Sequence, residues 1–258
     1  MERLRAFAAG VLPLIAIVVA WQLATSVFAI PKFLLPSPQD VADTIQKLGP
    51  AWGKHIWATV QATLLGFGLA VVVGVTLATI IVHSVLLRQM LTPIIVVLQI
   101  IPKVAFAPLL LIWFGTGTLP IVIITFLVAF FPMIVNTAVG MADIEKDLID
   151  LTRVLRMNWW RVLWAIRLPN ALPHIFSGLR IASTLAVIGT IIGEFVGSNV
   201  GLGYLILIAN NQTDTPLAFA AIILISLFGL ALYGLIAACE KFAMPWRSPS
   251  GAITGLSV

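Results

Sequence analysis

The sequence predicts an all-α, polytopic membrane protein: a helical bundle with six transmembrane helices and one folded loop held in water. Three observations carry this. Hydrophobic residues make up 60% of the 258 and charged residues only 10%, against roughly 45–50% and 25% in soluble domains. Apolar runs of about 20 residues recur, the length a helix needs to cross ~30 Å of hydrocarbon. These runs are continuous rather than alternating, which argues against a β-barrel, the other architecture that closes its backbone hydrogen bonds within a membrane. Residues 1–258 read as a single transmembrane domain, without internal repeats or a separate soluble unit.

The first run, 11–30, follows Arg3 and Arg5. Its apolar core is too long for a secretory leader, and no small-x-small site precedes a soluble domain, so it reads as a retained span. Pro31, Pro36 and Pro38 then interrupt the helix. Ser37 as N-cap, with Pro38 at the first helical position, starts a short helix with Val41, Ile45 and Leu48 on one face. That face predicts a helix lying along the membrane surface until Gly49-Pro50. The second span, 59–82, sets Gly66, Ala70, Gly74 and Ala78 at four-residue steps, a face that another helix can approach closely. A turn with Arg88 leads to a third span, 91–114, and Gly115-Thr116-Gly117 to a fourth, 119–140. A fifth, 175–197, and a sixth, 217–239, follow the charged loop. Cys239, the lone cysteine, allows no internal disulfide and reads as a buried packing residue.

The formal net charge is +5, yet the basic residues form no cluster on a soluble domain. The orientation bias of membrane loops explains them better than nucleic acid does. With six crossings and both termini in the cytoplasm, Arg3, Arg5, Arg88, Lys146, Arg153, Arg156, Arg161, Arg167, Lys241 and Arg247 lie inside. Lys32, Lys47 and Lys54 lie outside. The assignment places residues 141–173 in the cytoplasm.

That loop holds apolar residues at helical spacing, with Leu148, Leu151 and Leu155 before a break at Arg156-Met157-Asn158 and Val162, Ala165 and Ile166 after it. A loop serving only to fix topology does not need them, so two short helices and a docking surface are expected. Trp159 and Trp160 offer rigid apolar knobs to a partner, and Pro169 and Pro173 are expected to stop the second helix before the chain re-enters the membrane.

D-L-x-D-L-T-R-V-L-R-M-N, followed by I-R-L-P-N-A-L-P, resembles the EAA loop of inner-membrane permease subunits of binding-protein-dependent ABC importers. Asp150 stands for the acid of that pattern, Leu151 and Thr152 for its small residues, and Arg156 for its glycine. A bulky residue there departs from the pattern, and Asn158 is expected to take over the turn. Pro102 to Gly117 (PKVAFAPLLLIWFGTG), Gly193 to Ile206 (GEFVGSNVGLGYLI) and Phe33 to Pro38 (FLLPSP) resemble the branch for nitrate, sulfonates and taurine, bicarbonate, and thiamine or riboflavin precursors. The resemblance implies a homodimer, two cytoplasmic ATPase subunits that bind ATP and Mg, and an extracytoplasmic solute-binding protein. It implies no cofactor in this chain. ATPase coupling falls on Asp150, Thr152, Arg153, Leu155, Arg156, Met157, Asn158, Trp159 and Trp160.

For the solute path, Pro102 and Pro108 break backbone bonding in mid-span, which lipid tolerates only where protein or a water-filled cavity satisfies the freed groups. Lys103 between them either snorkels or faces such a cavity, with Phe106 nearby. Glu194 is the one acid inside an apolar span; a structural hydrogen bond to a neighbouring helix is its plainer reading and solute contact the alternative. Around it Gly189, Gly193, Gly197 and Gly201 repeat every fourth residue, a face for a close helix contact or a moving seam. Arg180 is expected to snorkel at the cytoplasmic end of its span. His55, His83 and His174 stand apart at span ends and form no metal set. The chain carries no G-x-x-x-x-G-K-[ST], no H-E-x-x-H and no G-x-S-x-G, so it reads as a transport subunit rather than an enzyme. An ion-coupled carrier or channel would have to use Lys103 and Glu194 as ion sites. A membrane enzyme would lack a nucleophile-base pair.

Overall fold

Four of the apolar runs fold into helices long and apolar enough to cross a membrane: Ala51–His83, Thr118–Ala142, Trp159–Gly197 and Thr215–Ala243. The computed structural model describes residues 2–245, and among these every regular element is helical. In chain order they are α1 (Glu2–Val27), α2 (Pro38–Leu48), α3 (Ala51–His83), α4 (Val85–Ile100), a 3-10 turn (Lys103–Phe106), α5 (Ala107–Phe114) and α6 (Thr118–Ala142). α7 (Lys146–Val154), α8 (Trp159–Val162), a π turn (Leu163–Arg167), α9 (Leu168–Gly197), α10 (Leu202–Gln212) and α11 (Thr215–Ala243) complete the chain.

The centre is α3 and α9 packed on either side of α6, and small residues make that possible. On α3, Ala70 and Ala78 are fully buried. A methyl group added at Gly66 would lie 2.5 Å from Thr125 Cβ, and one at Gly74 would lie 2.8 Å from Met133 Cβ. The predicted small face of α3 is thus its contact with α6. The glycine face of α9 is used in the same way, since a Cβ at Gly189 or Gly193 would come within 3.0 Å of the Cα of Thr125 or Ile121. At such separations backbones touch, and packing holds helices together where lipid offers no hydrophobic drive. On the flank, α2, α10 and α11 share an apolar cluster that includes Val41, Trp52, Leu202, Leu205, Leu217 and Ile225.

Several expectations are corrected. The third predicted span is not one helix: α4 and the segment Lys103–Phe114 bend by 78° at a short break. Pro102 removes the N–H that would continue α4, while Pro108 sits in the first turn of α5, where a missing donor is harmless. The first run, 11–30, falls on α1, whose residues Ile15–Val27 make a shorter apolar helix. The described residues therefore hold four candidate spans, or five with the bent pair as one. Residue Arg247 lies outside the described residues. The apolar face of α2 packs into the chain, with Val41 only 3% exposed.

The helix beginning at Trp159 does not stop at Pro169 or Pro173; it continues to Gly197 as one span. The π turn ahead of Pro169 lets Leu168 N–H bond five residues back to Leu163, so the ladder loosens just before proline withdraws a donor. Arg180 does not snorkel freely but pairs with Glu240 on α11, with Tyr233 5.6 Å away. Cys239 is exposed rather than buried.

Candidate functional site

Backbone closure, a left-handed residue and a side-chain cap gather around the turn between α7 and α8. α7 closes with two backbone bonds, Arg156 N–H to Arg153 C=O at 3.0 Å and Met157 N–H to Thr152 C=O at 3.0 Å. This is a Schellman ending, which needs a left-handed residue between helix and exit. Arg156 is that residue, with φ +47°. The expected transfer of the turn to Asn158 is corrected: Asn158 is extended, and its Oδ1 accepts the Arg161 N–H at 2.9 Å as the N-cap of α8.

The two helices of this elbow turn different faces in and out. Thr152 is buried, its hydroxyl donating to Ile149 C=O at 2.6 Å. Leu151 and Leu155 are exposed by 51% and 61%, and Val154, Trp160 and Trp164 are exposed beside them. Asp150 and Arg153 form an exposed pair at 2.7 Å. Trp159 is half-buried rather than an outward knob, standing edge-on to His83 at 4.3 Å and to Trp160 at 4.8 Å. Only Trp160 of the two presents its ring outward.

The base of the elbow is bolted to the bundle. Arg167 Nη1 donates to Met141 C=O at 2.9 Å, and Asn170 Nδ2 donates to Gly140 and Asp143 carbonyls. Gly140 touches His174 so closely that a Cβ would sit 2.5 Å from the histidine's own. Through these contacts and Trp159–His83, the elbow is joined to the ends of α6, α9 and α3 together.

Glu194 lies toward the opposite end and is 1% exposed. Thr59 Oγ1 donates to its Oε1 at 2.7 Å, Gly203 N–H donates to its Oε2 at 2.6 Å, and Thr59 Oγ1 also accepts the Leu202 N–H at 2.8 Å. His55 Nδ1 accepts the Gly201 N–H at 3.1 Å. A Cβ on Gly201, whose φ is +128°, would lie 2.3 Å from Glu194 Cδ. One carboxylate thereby ties α3, α9 and the start of α10. Thr63, Thr125 and Thr190, all fully buried, extend the polar thread at 2.9 Å spacings. Residue types did not single out these threonines, because each hydroxyl can bond its own helix and hides in an apolar run.

Lys103 stands at the break between α4 and α5. Its ammonium donates to Gln99 C=O and lies 4.8 Å over the Phe131 ring. No carboxylate within ion-pair distance of it occurs among the described residues. Phe106 packs with Ala107, Leu110 and Ile124, and Pro102 and Pro108 are exposed. Gly197 is in contact with Leu111 of α5. The path candidates thus form two groups: Pro102, Lys103, Phe106 and Pro108 at the break, and Gly189, Gly193, Glu194 and Gly197 inside the helix packing.

The family described as the binding-protein-dependent transport system inner membrane component matches residues 70–243. The chain belongs to this family. The permease is 37% identical over 238 residues to the riboflavin transport system permease protein RibX of Chloroflexus aurantiacus, covering 91% of this chain and 88% of the relative. It is 33% identical over 232 residues to the formylaminopyrimidine transport permease protein ThiX of Halalkalibacterium halodurans, covering 90% and 92%. It is 28% identical over 242 residues to the putative aliphatic sulfonates transport permease protein SsuC of Bacillus subtilis, covering 93% and 87%. A solved chain of the MetNI methionine ABC transporter in an inward-facing conformation shares the fold, with a TM-score of 0.67 over 76% of this chain and 97% of that one at 15% identity. The permease is therefore a transport subunit of an inner-membrane ABC transporter.

Proposed function

We propose that two copies of the permease form the solute path of an ATP-driven importer. In this reading two ATPase subunits dock on the elbows, holding ATP and Mg themselves, and an extracytoplasmic binding protein delivers the solute. Both termini and the elbow lie in the cytoplasm, as the distribution of Lys and Arg favours. The observation that carries the reading is the elbow: an exposed apolar stripe of Leu151, Val154, Leu155 and Trp160 on a charged segment. Apolar side chains left in water at this density point to a partner.

Closure of the ATPase pair would push the elbow, and the bonds from Arg167, Asn170 and Trp159 would carry the push to α6, α9 and α3 together. The packed glycine face makes α6 and α9 one body, so alternating access would open and close between that body and the α4–α5 break. Non-helical backbone and an ammonium are both costly against hydrocarbon, so the break and Lys103 would face the path. There Lys103 would meet a small polar or anionic organic solute, of the kind for which the formylaminopyrimidine and aliphatic sulfonate relatives are named. Glu194 would position helices and leave the solute alone.

A direct test is Leu155→Asp in the assembled transporter, scored by retained ATPase subunit and by uptake. Loss of both with the permease still folded is expected. Unchanged retention would remove the docking reading.

A further inference from the structure

Arg156 occupies a conformation that disfavours every side chain. Its φ of +47° lies in the left-handed region, where only glycine escapes the Cβ penalty. The Schellman closure fixes that conformation, because the N–H groups of residues 156 and 157 both turn back to the last turn of α7. Strain of this kind is a pointer to function when it is observed rather than assumed. Inside the chain the side chain gains nothing to offset it. Arg156 is exposed, and among the described residues its guanidinium makes no hydrogen bond, ion pair or ring contact. Arg153 one turn earlier is already paired with Asp150, and Arg161 one turn later is exposed without an acidic partner among the described residues. The tip of the elbow therefore carries uncompensated positive charge beside the apolar stripe.

We infer that Arg156 is a partner-recognition residue: its guanidinium receives a carboxylate of the ATPase subunit and sets which ATPase the permease accepts. The inference rests on the docking reading above. The apolar stripe of Leu151, Val154 and Leu155 can fill any greasy groove and discriminates poorly. A charge at the same surface discriminates strongly, since a partner with a basic or neutral wall leaves it repelled or unpaired. Arginine suits the role because its planar fork matches a carboxylate with two parallel hydrogen bonds, which lysine cannot reproduce.

The test uses the complete transporter, purified through a tag on the permease, with R156G, R156K, R156E and L155D compared. Glycine relieves the backbone and removes the charge, so its two effects must separate. R156G is expected to leave the melting temperature of the permease equal or higher, while retained ATPase falls about tenfold and what remains loses its sensitivity to salt. R156K should fall between, and R156E should regain ATPase when an acid cross-linked to position 156 is changed to arginine. R156G that retains ATPase as fully as the parent overturns the inference. So does loss of ATPase accompanied by a lowered melting temperature, because the effect is then structural. If L155D releases the ATPase and R156G does not, the docking reading stands and the Arg156 inference alone fails; if neither releases it, both fail.

Discussion

Glu194 carries a potential negative charge into the middle of the helix packing, and its stability there depends on the donors that surround it. Thr59 is the pivot, because one hydroxyl donates to Glu194 and accepts from Leu202. Thr59→Val keeps the shape and orphans both groups, each worth about 1–3 kcal/mol when buried. Thermal unfolding in detergent should show a large loss for Thr59→Val and little for Thr59→Ser. Arg156 gives the opposite sign: Arg156→Gly should stabilise the isolated permease by about 1 kcal/mol, the lower end of the left-handed penalty. The sequence exposes Glu194 and Arg156 as unusual residues, since one is an acid in an apolar run and the other a bulky group where a turn falls. It hides Thr59, whose partner lies 135 residues away, and local pattern holds no trace of such a pair. Nor does it show that Trp159 turns inward to His83 while Trp160 turns out.

Among the helices, close packing is the sensitive feature. Gly66→Val would drive a side chain into Thr125, 2.5 Å from where its Cβ must sit, and should cost about 1–3 kcal/mol or more as overpacking. Loss of folded permease on size-exclusion chromatography would register it, whereas Gly68→Ala, with open space around it, should be silent. α2 offers a pH test. Its capping box pairs Ser37 with Asp40, and the Lys32 ammonium followed by the Ser37 hydroxyl hold the Asp40 carboxyl down to about 2. Because the folded value lies below the unfolded one, this contribution is complete above about pH 4 and fades as pH falls toward 2. Hydrogen exchange of α2 should show Asp40→Asn weaker by about 1 kcal/mol at pH 6, with the difference fading as pH falls through about 2.

The small faces and the start of α2 were readable because spacing and capping are local. The bend between α4 and α5 was only half readable: the prolines mark a break, but its angle depends on α6 beneath it. The continuous helix through Pro169 was not readable at all, because a π turn has no residue signature and its register shift makes proline tolerable.

Across the whole molecule, a few fixed bonds join the elbow to the buried helix packing. Asn170→Ala removes two donations to the end of α6 without touching the exposed stripe. It should therefore leave the ATPase bound while lowering uptake per ATP hydrolysed several-fold, a split measurable in proteoliposomes. The family membership and the helical bundle follow from composition and from the order of the motifs, which is why the class of protein was legible from the chain. The 78° angle of the α4–α5 break was not, because hydropathy measures length and greasiness but not the direction a run takes after a proline. The central claim is that the α7–α8 elbow meets an ATPase, and position 155 reports on it most directly. In a Cys239→Ser background, Leu155→Cys should cross-link to the ATPase subunit in the assembled transporter and resist an impermeant maleimide added to intact cells. Labelling from outside, or a cross-link to every partner except the ATPase, would contradict it.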